Sequence, residues 1–351
     1  MEQVIEQFKE RILAAAANKQ PLRIRGGGTK DWYGQTPSGD LLDTRAYSGV
    51  VAYDPTELVI TVRSGTPLAE VEAILAEQNQ MLAFEPPHFG PGATVGGMVA
   101  SGLSGPGRVA VGATRDFVLG VVLMDGKGES LHFGGQVMKN VAGYDVSRML
   151  AGSLGTLGLL LEVSVKVLPK PYAQTSLRLE MDEKDAIRRL NEWGGQPLPI
   201  SASAWCDGAL MVRLSGAKAA LAAAQQIIGG EEVDGDDFWI AMREQSNEFF
   251  TQADVLWRLS VPSTTAPIAL NGQQLIEWGG AQRWLRTNES ADTIRTAAAL
   301  AGGHATLFRG GDKEVGVFHP LPTALGRIHQ NMKNNFDPDG IFNPGRMYTQ
   351  Y

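Results

Sequence analysis

Two glycine-rich segments carry the clearest chemical signal in this sequence. The first is Arg25-Gly26-Gly27-Gly28-Thr29-Lys30, which follows a short apolar stretch, and the second is Gly92-Ala93-Thr94-Val95-Gly96-Gly97. Residues without a Cβ reach positive φ at little cost and let an anion approach the main-chain N–H groups. A hydroxyl and a cation follow the first glycines, where phosphate oxygens would be. The two segments therefore predict a diphosphate held from two sides, as in a nucleotide cofactor.

A structural role is the alternative for each segment, because glycine accounts for 42 of the 351 residues and often marks turns. The first run is not a Rossmann fingerprint, since Asp31 stands where the third glycine should be, and it lacks the Gly-Lys-Ser/Thr of a Walker loop. Gly105-Pro106-Gly107-Arg108-Val109-Ala110 fits the loose Rossmann pattern, but no strand-like run precedes it and Gly112 would interrupt a following helix. A NAD-dependent dehydrogenase is therefore the weakest alternative.

The composition indicates an enzyme of two domains, because 351 residues exceed one ordinary core. Lys and Arg number 31 against 38 Asp and Glu, and the net charge of -7 without long charged blocks argues against nucleic acid as a partner. The single cysteine, Cys206, excludes an internal disulfide and a self-contained four-cysteine zinc or iron–sulfur site. Any cluster that receives electrons from this chain must therefore lie on another chain.

Apolar periodicity predicts the elements that position the two glycine segments. Residues 1–19 have the spacing of an amphipathic helix. They lack the features of a signal peptide, and no segment has the roughly 18 apolar residues of a membrane span. We therefore expect a cytosolic location, with attachment to the inner membrane through a partner as the alternative.

Three strands are predicted in the first half, at residues 58–62, 117–124 and 159–167. Asp125-Gly126 predicts a tight turn after the second strand, and Thr66-Pro67 predicts the N-cap and first position of a helix.

Two prolines, Pro169 and Pro171, predict a domain boundary. Beyond them the order strand, helix, strand, strand, helix over residues 176–228 predicts an antiparallel sheet with helices on one face. Further apolar segments at residues 256–261, 275–278 and 284–285 would extend that sheet. The predicted fold class is α+β.

Six motifs, spread in order over nearly the whole chain, resemble those of vanillyl-alcohol-oxidase type FAD flavoenzymes. They are Arg25-Gly26-Gly27-Gly28-Thr29, Thr94-Val95-Gly96-Gly97, Gly112 with Arg115-Asp116-Phe117, Gly143-Tyr144-Asp145-Val146, Gly152-Ser153-Leu154-Gly155-Thr156-Leu157-Gly158 and Phe342-Asn343-Pro344-Gly345-Arg346. Three further segments are similar to those of the FAD-binding subunits of bacterial glycolate oxidases. These are Glu85-Pro86-Pro87-His88, residues 133–145 and Gly302-Gly303-His304-Ala305-Thr306.

The resemblance implies a two-lobed FAD-binding domain at residues 1–170, a ferredoxin-like antiparallel cap domain at 171–330 and a tail at 331–351 that returns to the FAD. The cofactor-binding residues that it implies are Arg25, Gly26, Gly27, Gly28, Thr29 and Lys30 in the first loop, Pro87, Thr94, Val95, Gly96, Gly97, Ser101 and Gly102 around the second, Gly112, Arg115, Asp116, Gly152, Gly155, Thr156, Glu162 and Val163 beyond it, and Asn343 beside the isoalloxazine. Helix capping by Gly155 and a simple turn at Asn343 are the structural alternatives.

Non-covalent attachment of FAD is expected. Covalent members of the family have a histidine in the first loop, or a cysteine or histidine elsewhere near the flavin. Here the loop contains Thr29, and Cys206 falls in the predicted cap hairpin.

Oxidation of a 2-hydroxy acid by flavin needs a base for the hydroxyl proton and a cation or metal for the carboxylate. Related catalytic subunits have a metal motif of paired histidines and a glutamate. The five histidines here include no His-x-His pair, so we expect no metal. His304 is the candidate catalytic base, with Arg148 or Arg309 as the anion clamp, and a hydrogen-bonded structural role is the alternative for His304.

The resemblance also implies two partners, a larger flavoprotein subunit and an iron–sulfur subunit, and a small 2-hydroxy acid such as glycolate as the substrate. The predicted activity is oxidation of glycolate to glyoxylate, with electrons passed to the iron–sulfur partner. A flavoprotein subunit that only relays electrons or supports the catalytic chain is the alternative.

Overall fold

The computed structural model describes residues 1–135 and 146–350. The Gly143-Tyr144-Asp145 motif and most of the similar segment at 133–145 therefore lie outside the described residues. The elements of the first half are α1 (Glu2–Asn18), β1 (Leu22–Arg25), β2 (Asp40–Asp43), β3 (Val50–Asp54), β4 (Val59–Arg63), α2 (Leu68–Glu77), β5 (Gln80–Met81), α3 (Val95–Ser101), α4 (Arg108–Val111), α5 (Thr114–Phe117), β6 (Val118–Met124), β7 (Ser130–Gly134), α6 (Val146–Leu150), β8 (Leu159–Lys166) and β9 (Leu168–Pro169).

The elements of the second half continue the numbering. They are β10 (Ala173–Glu180), α7 (Glu183–Gly194), β11 (Ile200–Cys206), β12 (Ala209–Gly216), α8 (Lys218–Ile228), β13 (Glu231–Val233), α9 (Asp236–Glu244), α10 (Glu248–Thr251), β14 (Val255–Ser260), β15 (Gln273–Glu277), β16 (Gln282–Arg286), α11 (Ala291–Leu300), β17 (His304–Gly310) and α12 (Thr323–Phe336). The helix predicted at residues 1–19 and the predicted strand, helix, strand, strand, helix order are confirmed.

A five-stranded antiparallel sheet organises the first half, in the order β3-β4-β8-β6-β7. The central strand β8 is almost entirely apolar because both of its faces are covered. Val163 and Val165 pack in one core with α2 and α3, whereas Leu159 and Leu161 pack with α1. The sheet thus fixes α3, which begins in the second glycine segment.

A small parallel pair, β1 with β2, lies beside this sheet and receives the C-terminal tail. The Leu22 amide donates to the Ile341 carbonyl, and the Asn343 amide donates to the Leu22 carbonyl. The tail therefore pairs with β1, the strand that leads into the first glycine segment.

An eight-stranded antiparallel sheet organises the second half, in the order β13-β10-β12-β11-β15-β16-β14-β17. Alternate side chains point to opposite faces of each strand. One face packs against α7, α8 and α11, as predicted. The other, which we call the inner face, packs against Tyr33, Leu103 and Leu154 of the first half, and α9 and α10 lie on this side. Helices α9 and α10 follow the residues at 176–228 for which helices on one face were predicted, and they add a second layer on the inner face.

Two local predictions have instructive outcomes. Helix α2 begins after Pro67, but Thr66 does not cap it, because the Thr66 hydroxyl donates to the Arg63 carbonyl and accepts from the Gly49 amide. The prediction of Thr66 as N-cap is wrong. After Gly107 the chain forms only the short α4, ended by Gly112, so the Rossmann alternative has no helix to support it.

Candidate functional site

The two glycine segments lie against each other. A Cβ at Gly27 would be 1.5 Å from the Gly92 carbonyl oxygen, and one at Gly26 would be 2.2 Å from Thr94 Oγ1. Gly28 has a φ of 74°, in the left-handed region that favours glycine. The fold therefore requires glycine at these positions to bring the segments together.

The segments form one wall each of an open cleft of about 610 Å³, which we call the glycine cleft. It is lined by residues 26–31, Thr94, Gly97, Ser101, Asn343 and Arg346. Within the described residues, the amide N–H groups of residues 26–30 donate to no protein group. A row of unbonded amides in a cleft fits an anionic ligand such as a diphosphate.

The second wall offers fewer free donors than the first. The Gly97 amide donates to Thr94 Oγ1 at 3.3 Å, and the Gly96 amide donates to the Ser64 carbonyl at 2.8 Å. Val95 is buried in the core, and its amide donates to the Thr66 carbonyl. This wall therefore contributes shape more than hydrogen bonds.

Two cations of the cleft are held by backbone carbonyls. Lys30 Nζ donates to the His88 carbonyl at 3.2 Å, and burial lowers the Lys30 pKa to about 8 against the opposing charge of Glu244. Arg346 donates to the carbonyls of Gln35 and Asp31, and burial lowers its pKa to about 10. Without a paired carboxylate of its own, each would gain from an anion in the cleft.

Arg25 is committed within the protein. Its Nε donates to Asp31 at 2.7 Å, and Arg23 shares the same carboxylate at 2.9 Å. Arg25 therefore supports the shape of the loop. Arg346 was missed as a site residue, although it ends the Phe342-Asn343-Pro344-Gly345-Arg346 motif that the sequence displays.

Asn343 joins three parts of the chain. Its Oδ1 accepts from the Ile24 amide at 2.8 Å, and its Nδ2 donates to the Leu154 carbonyl at 2.7 Å. The side chain lines the glycine cleft but uses its amide to fasten the tail to β1. A positioning role is therefore what this geometry supports.

A second, smaller cavity adjoins the cleft through Gly26, Gly97 and Asn343. Gly155, Gly158 and Ser64 also line it. Ser64 is 2% exposed, and among the described residues its hydroxyl has no partner. A buried hydroxyl without a partner fits a polar ligand group in this cavity.

The predicted residues beyond the second glycine segment do not all meet at the cleft. Val163 is in the core, and Glu162 accepts a hydrogen bond from the Tyr47 hydroxyl. Thr156 donates to the Ser153 carbonyl. Gly102 packs on Gly152, since a Cβ at Gly102 would lie 2.8 Å from the Gly152 amide nitrogen.

Arg115 and Asp116 line a separate groove, which Gly152 and Thr156 share. Asp116 accepts a hydrogen bond from the Ala113 amide and forms an ion pair with Arg148. Gly112, which precedes this short helix, has a φ of 109°. Pro87 lies elsewhere again, in a cavity under the inner face of the eight-stranded sheet.

His304 begins β17 and is exposed. Its nearest ring is that of His319, at 6.3 Å between centroids, and it does not line the glycine cleft. Arg309, at the other end of β17, stacks on Trp32 and donates to Gln245. The structure therefore places the candidate base and this candidate clamp at opposite ends of one strand, while Arg148 is in the pair with Asp116.

Cys206 ends β11 and lies outside the glycine cleft and the adjoining cavity. Burial, and then the charge of Asp207, raises the pKa of its thiol to about 12. A thiolate is the nucleophilic form, so Cys206 is poorly suited to attack a flavin. Among the described residues, no group of three or more His, Cys, Asp or Glu is arranged to hold a metal ion, and no helix is long and apolar enough to cross a membrane.

Comparison with known proteins assigns the first part of the chain. Residues 3–134 match the model of a family described as FAD binding domain. Glycolate oxidase subunit GlcE of Escherichia coli (strain K12) is 50% identical over 97% of this chain and 96% of its own length. Glycolate oxidase subunit GlcD of Bacillus subtilis (strain 168) is 32% identical over 50% of this chain and 38% of its own length.

Solved structures agree at the level of the fold. A structure of p-cresol methylhydroxylase with substrate bound has a TM-score of 0.72 to this chain at 12% identity, and covers 99% of this chain and 88% of its own. The likeness confirms the predicted α+β fold class.

Proposed function

Since this chain belongs to the family of glycolate oxidase FAD-binding subunits that includes GlcE, we propose that it oxidises glycolate or a similar 2-hydroxy acid to the corresponding 2-oxo acid within a multisubunit complex. The chain is an FAD-dependent oxidoreductase subunit, and FAD is its cofactor. The observation that carries the proposal is the row of unbonded amides at residues 26–30 in the glycine cleft, in a chain half identical to GlcE along its length.

Three groups of residues would hold FAD non-covalently. The amides of residues 26–30 with Thr29 would bind the diphosphate, and Lys30 and Arg346 would offset its charge. Ser64 would donate to a polar group in the adjoining cavity. Bound FAD supplies the two-electron oxidant for the C–H bond of the hydroxy acid. The residues of this chain bind and orient both molecules.

A larger flavoprotein subunit and an iron–sulfur subunit are the proposed partners. The sequence contains one cysteine, so electrons that leave the FAD for a four-cysteine cluster must pass to another chain. The proposed division is an FAD-binding domain at residues 1–170, a cap at 171–330 and a returning tail at 331–351. The tail contacts at Leu22 and Asn343 support this division.

Anaerobic visible spectra of the full chain test the proposal. The FAD-loaded chain is recorded before and after addition of glycolate, alone and co-produced with its partner subunits. We expect glycolate to bleach the flavin band in at least the assembled complex. Bleaching should be slower than in the wild-type complex when this chain carries a substitution that reduces its FAD affinity.

A flavin band of this chain that persists in the complex, while the partner flavin is reduced, would overturn substrate oxidation by this subunit. That result would favour the electron-relay alternative. Failure of the chain to bind FAD would contradict the proposed roles of the glycine cleft.

A further inference from the structure

The inner face of the eight-stranded sheet carries a continuous row of polar side chains. Strand register pairs Glu277 with Gln282, Gln282 with Ser260, and Ser260 with His304 across four neighbouring strands. Paired residues of an antiparallel sheet lie on the same face. The next row on this face contains Trp284, Arg258 and Thr306. Polar groups are thus concentrated on a face that otherwise packs apolar residues against the first half of the chain.

A small cavity lies under this face. Its polar lining includes Arg258, Glu277 and Gln282 from the sheet and Ser104 from the opposite side. Trp284 and Phe308 supply apolar walls. Apolar walls with a few convergent polar groups are typical of sites for small molecules.

Arg258 lies between this cavity and the first glycine segment. Its guanidinium stacks 5.2 Å from the Phe308 ring and donates to the Tyr33 hydroxyl at 3.1 Å. The Tyr33 amide in turn donates to the Lys30 carbonyl. Arg258 therefore contacts Tyr33, which lies three residues beyond Lys30 of the first glycine segment.

Within the described residues, Arg258 forms no ion pair. The charge of Arg258 acts on two titratable groups. The pKa of Arg108 is lowered by burial and then by the charges of Arg115 and Arg258, and the pKa of His304 is lowered by burial and then by the charge of Arg258. One hydrogen bond to Tyr33 leaves most of the five guanidinium N–H groups of Arg258 for a ligand. A carboxylate accepts two such groups side by side.

Glu277 faces the same cavity and is 4% exposed. Its Oε2 accepts from Trp284 Nε1 at 2.5 Å and from Gln282 Nε2 at 3.0 Å. Burial raises its pKa to about 7, the two hydrogen bonds oppose the rise, and the charge of Glu85 adds to it.

The other charged groups around Glu277 are accounted for. Glu85 forms an ion pair with Arg213 at 2.8 Å, and Arg243, which also lines the cavity, pairs with Glu244. Arg258 is the remaining charged group of the lining. The cavity therefore combines a cation that has no ion-pair partner among residues 1–135 and 146–350 with a carboxyl group whose pKa is about 7.

We propose that this cavity is the substrate site of the chain, where Arg258 binds the carboxylate of a small 2-hydroxy acid and Glu277 accepts the proton of its hydroxyl group. The inference rests on the proposed function. Glu277 would take the proton of the hydroxyl oxygen as the α-carbon loses a hydride, so that the C–O bond becomes a carbonyl and the product is a 2-oxo acid. Bound FAD would supply the two-electron oxidant that accepts the hydride.

Glu277 replaces His304 in this assignment. His304 ends the same polar row but is exposed and does not line the cavity. Glu277 is enclosed with the arginine that would hold the acid. The base and the anion clamp thus come from β15 and β14, which are separated by β16 in the sheet.

Oxalate, which has the carboxylate but no hydroxyl group, tests the binding half with the full FAD-loaded chain in its complex. Calorimetric titration should show at least tenfold weaker oxalate binding by Arg258→Gln, with partial recovery in Arg258→Lys and unchanged flavin content. Arg286→Gln is the matched control, because Arg286 of β16 also stacks on an aromatic ring, that of Phe249 in α10, but is outside the cavity. Equal oxalate affinity in Arg258→Gln and the wild type would overturn the site.

Flavin reduction by glycolate tests the proton acceptor. Glu277→Gln should slow reduction about 100-fold or more, which is the typical contribution of a general base, while oxalate affinity stays within twofold. The wild-type rate should rise with pH through about 7, and Glu277→Gln should lose this rise. Glu183→Gln, at a half-buried carboxyl whose pKa burial also raises, should keep it.

A wild-type rate without this rise, or a Glu277→Gln variant that reduces normally, would overturn the role of Glu277 alone. If glycolate does not reduce the flavin of the wild-type chain, the proposed function itself is overturned. The two failures are therefore distinguishable.

Discussion

Substitution of Gly27 by alanine isolates the contact between the two glycine segments. The new Cβ would lie 1.5 Å from the Gly92 carbonyl oxygen, about 2 Å closer than an ordinary contact. The two segments would have to separate, which widens the glycine cleft and moves the amides of residues 26–30. Overpacking of this kind costs about 1–3 kcal/mol.

The free variant can relax by separating the two segments, whereas the FAD site needs them together. If the whole cost therefore opposes FAD binding, FAD affinity should fall about 5- to 150-fold, at tenfold per 1.4 kcal/mol. Titration of the FAD-free chain, followed by quenching of FAD fluorescence, measures the change. Circular dichroism before and after the titration checks that the variant is folded.

Gly92→Ala is the matched control on the opposite side of the same contact. A Cβ at Gly92 would find the Gly27 carbonyl oxygen at 3.5 Å, an ordinary distance, and Gly92 does not have positive φ. Its FAD affinity should stay within about twofold of the wild type, less than 0.5 kcal/mol. Equal losses in the two variants, or wild-type affinity in folded Gly27→Ala, would refute the reasoning.

Three further predictions concern the C-terminal tail, the cavity that adjoins the glycine cleft, and the glycine cleft itself. Lys333→Met should lower the free energy of unfolding by about 3–5 kcal/mol in urea titrations, because it leaves the fully buried Asp337 carboxylate without its cation; a loss under 1 kcal/mol would contradict this. Ser64→Ala should leave the unfolding midpoint unchanged, since the hydroxyl has no partner among the described residues, but should weaken FAD binding about 2- to 10-fold; equal FAD affinity would remove Ser64 from the site. FAD binding at pH 9 should take up a proton, because the Lys30 pKa of about 8 leaves the amine mostly neutral in the free chain and a diphosphate favours its charged form. Affinity should therefore fall as pH rises above about 8, and calorimetry in buffers of different ionisation enthalpy should show the uptake in the wild type and not in Lys30→Met.

Local patterns in the sequence predict much of this fold correctly. Helix α1, the hairpin of β6 and β7 around Asp125-Gly126, and the apolar strand β8 each follow from spacing within a few residues. The glycines of the first loop can also be recognised from the sequence, because the need for residues without a Cβ arises within the loop itself. The motif order was sufficient to indicate an FAD-binding protein of the right family.

The surroundings of several predicted site residues depend on contacts between distant parts of the chain. Val163 follows a family motif, yet strand alternation turns its side chain into the core. His304 was chosen because histidine is a common base, and only the pairing of β14 with β17 shows it at the exposed end of a row. Arg346 acquires its position from hydrogen bonds to Asp31 and Gln35, far away in sequence.

The sequence by itself determined the class of fold and the position of the glycine loop, and it predicts a diphosphate site there, because glycine spacing and apolar periodicity act on neighbouring residues. Only the tertiary structure decided which groups share a cavity. Arg258 and Glu277 carry no common sequence pattern. They line one cavity because sheet register places both on the inner face, and Arg258 reaches Tyr33 because that face packs against the first half of the chain. Register and packing are collective properties of many side chains, so no single segment encodes them.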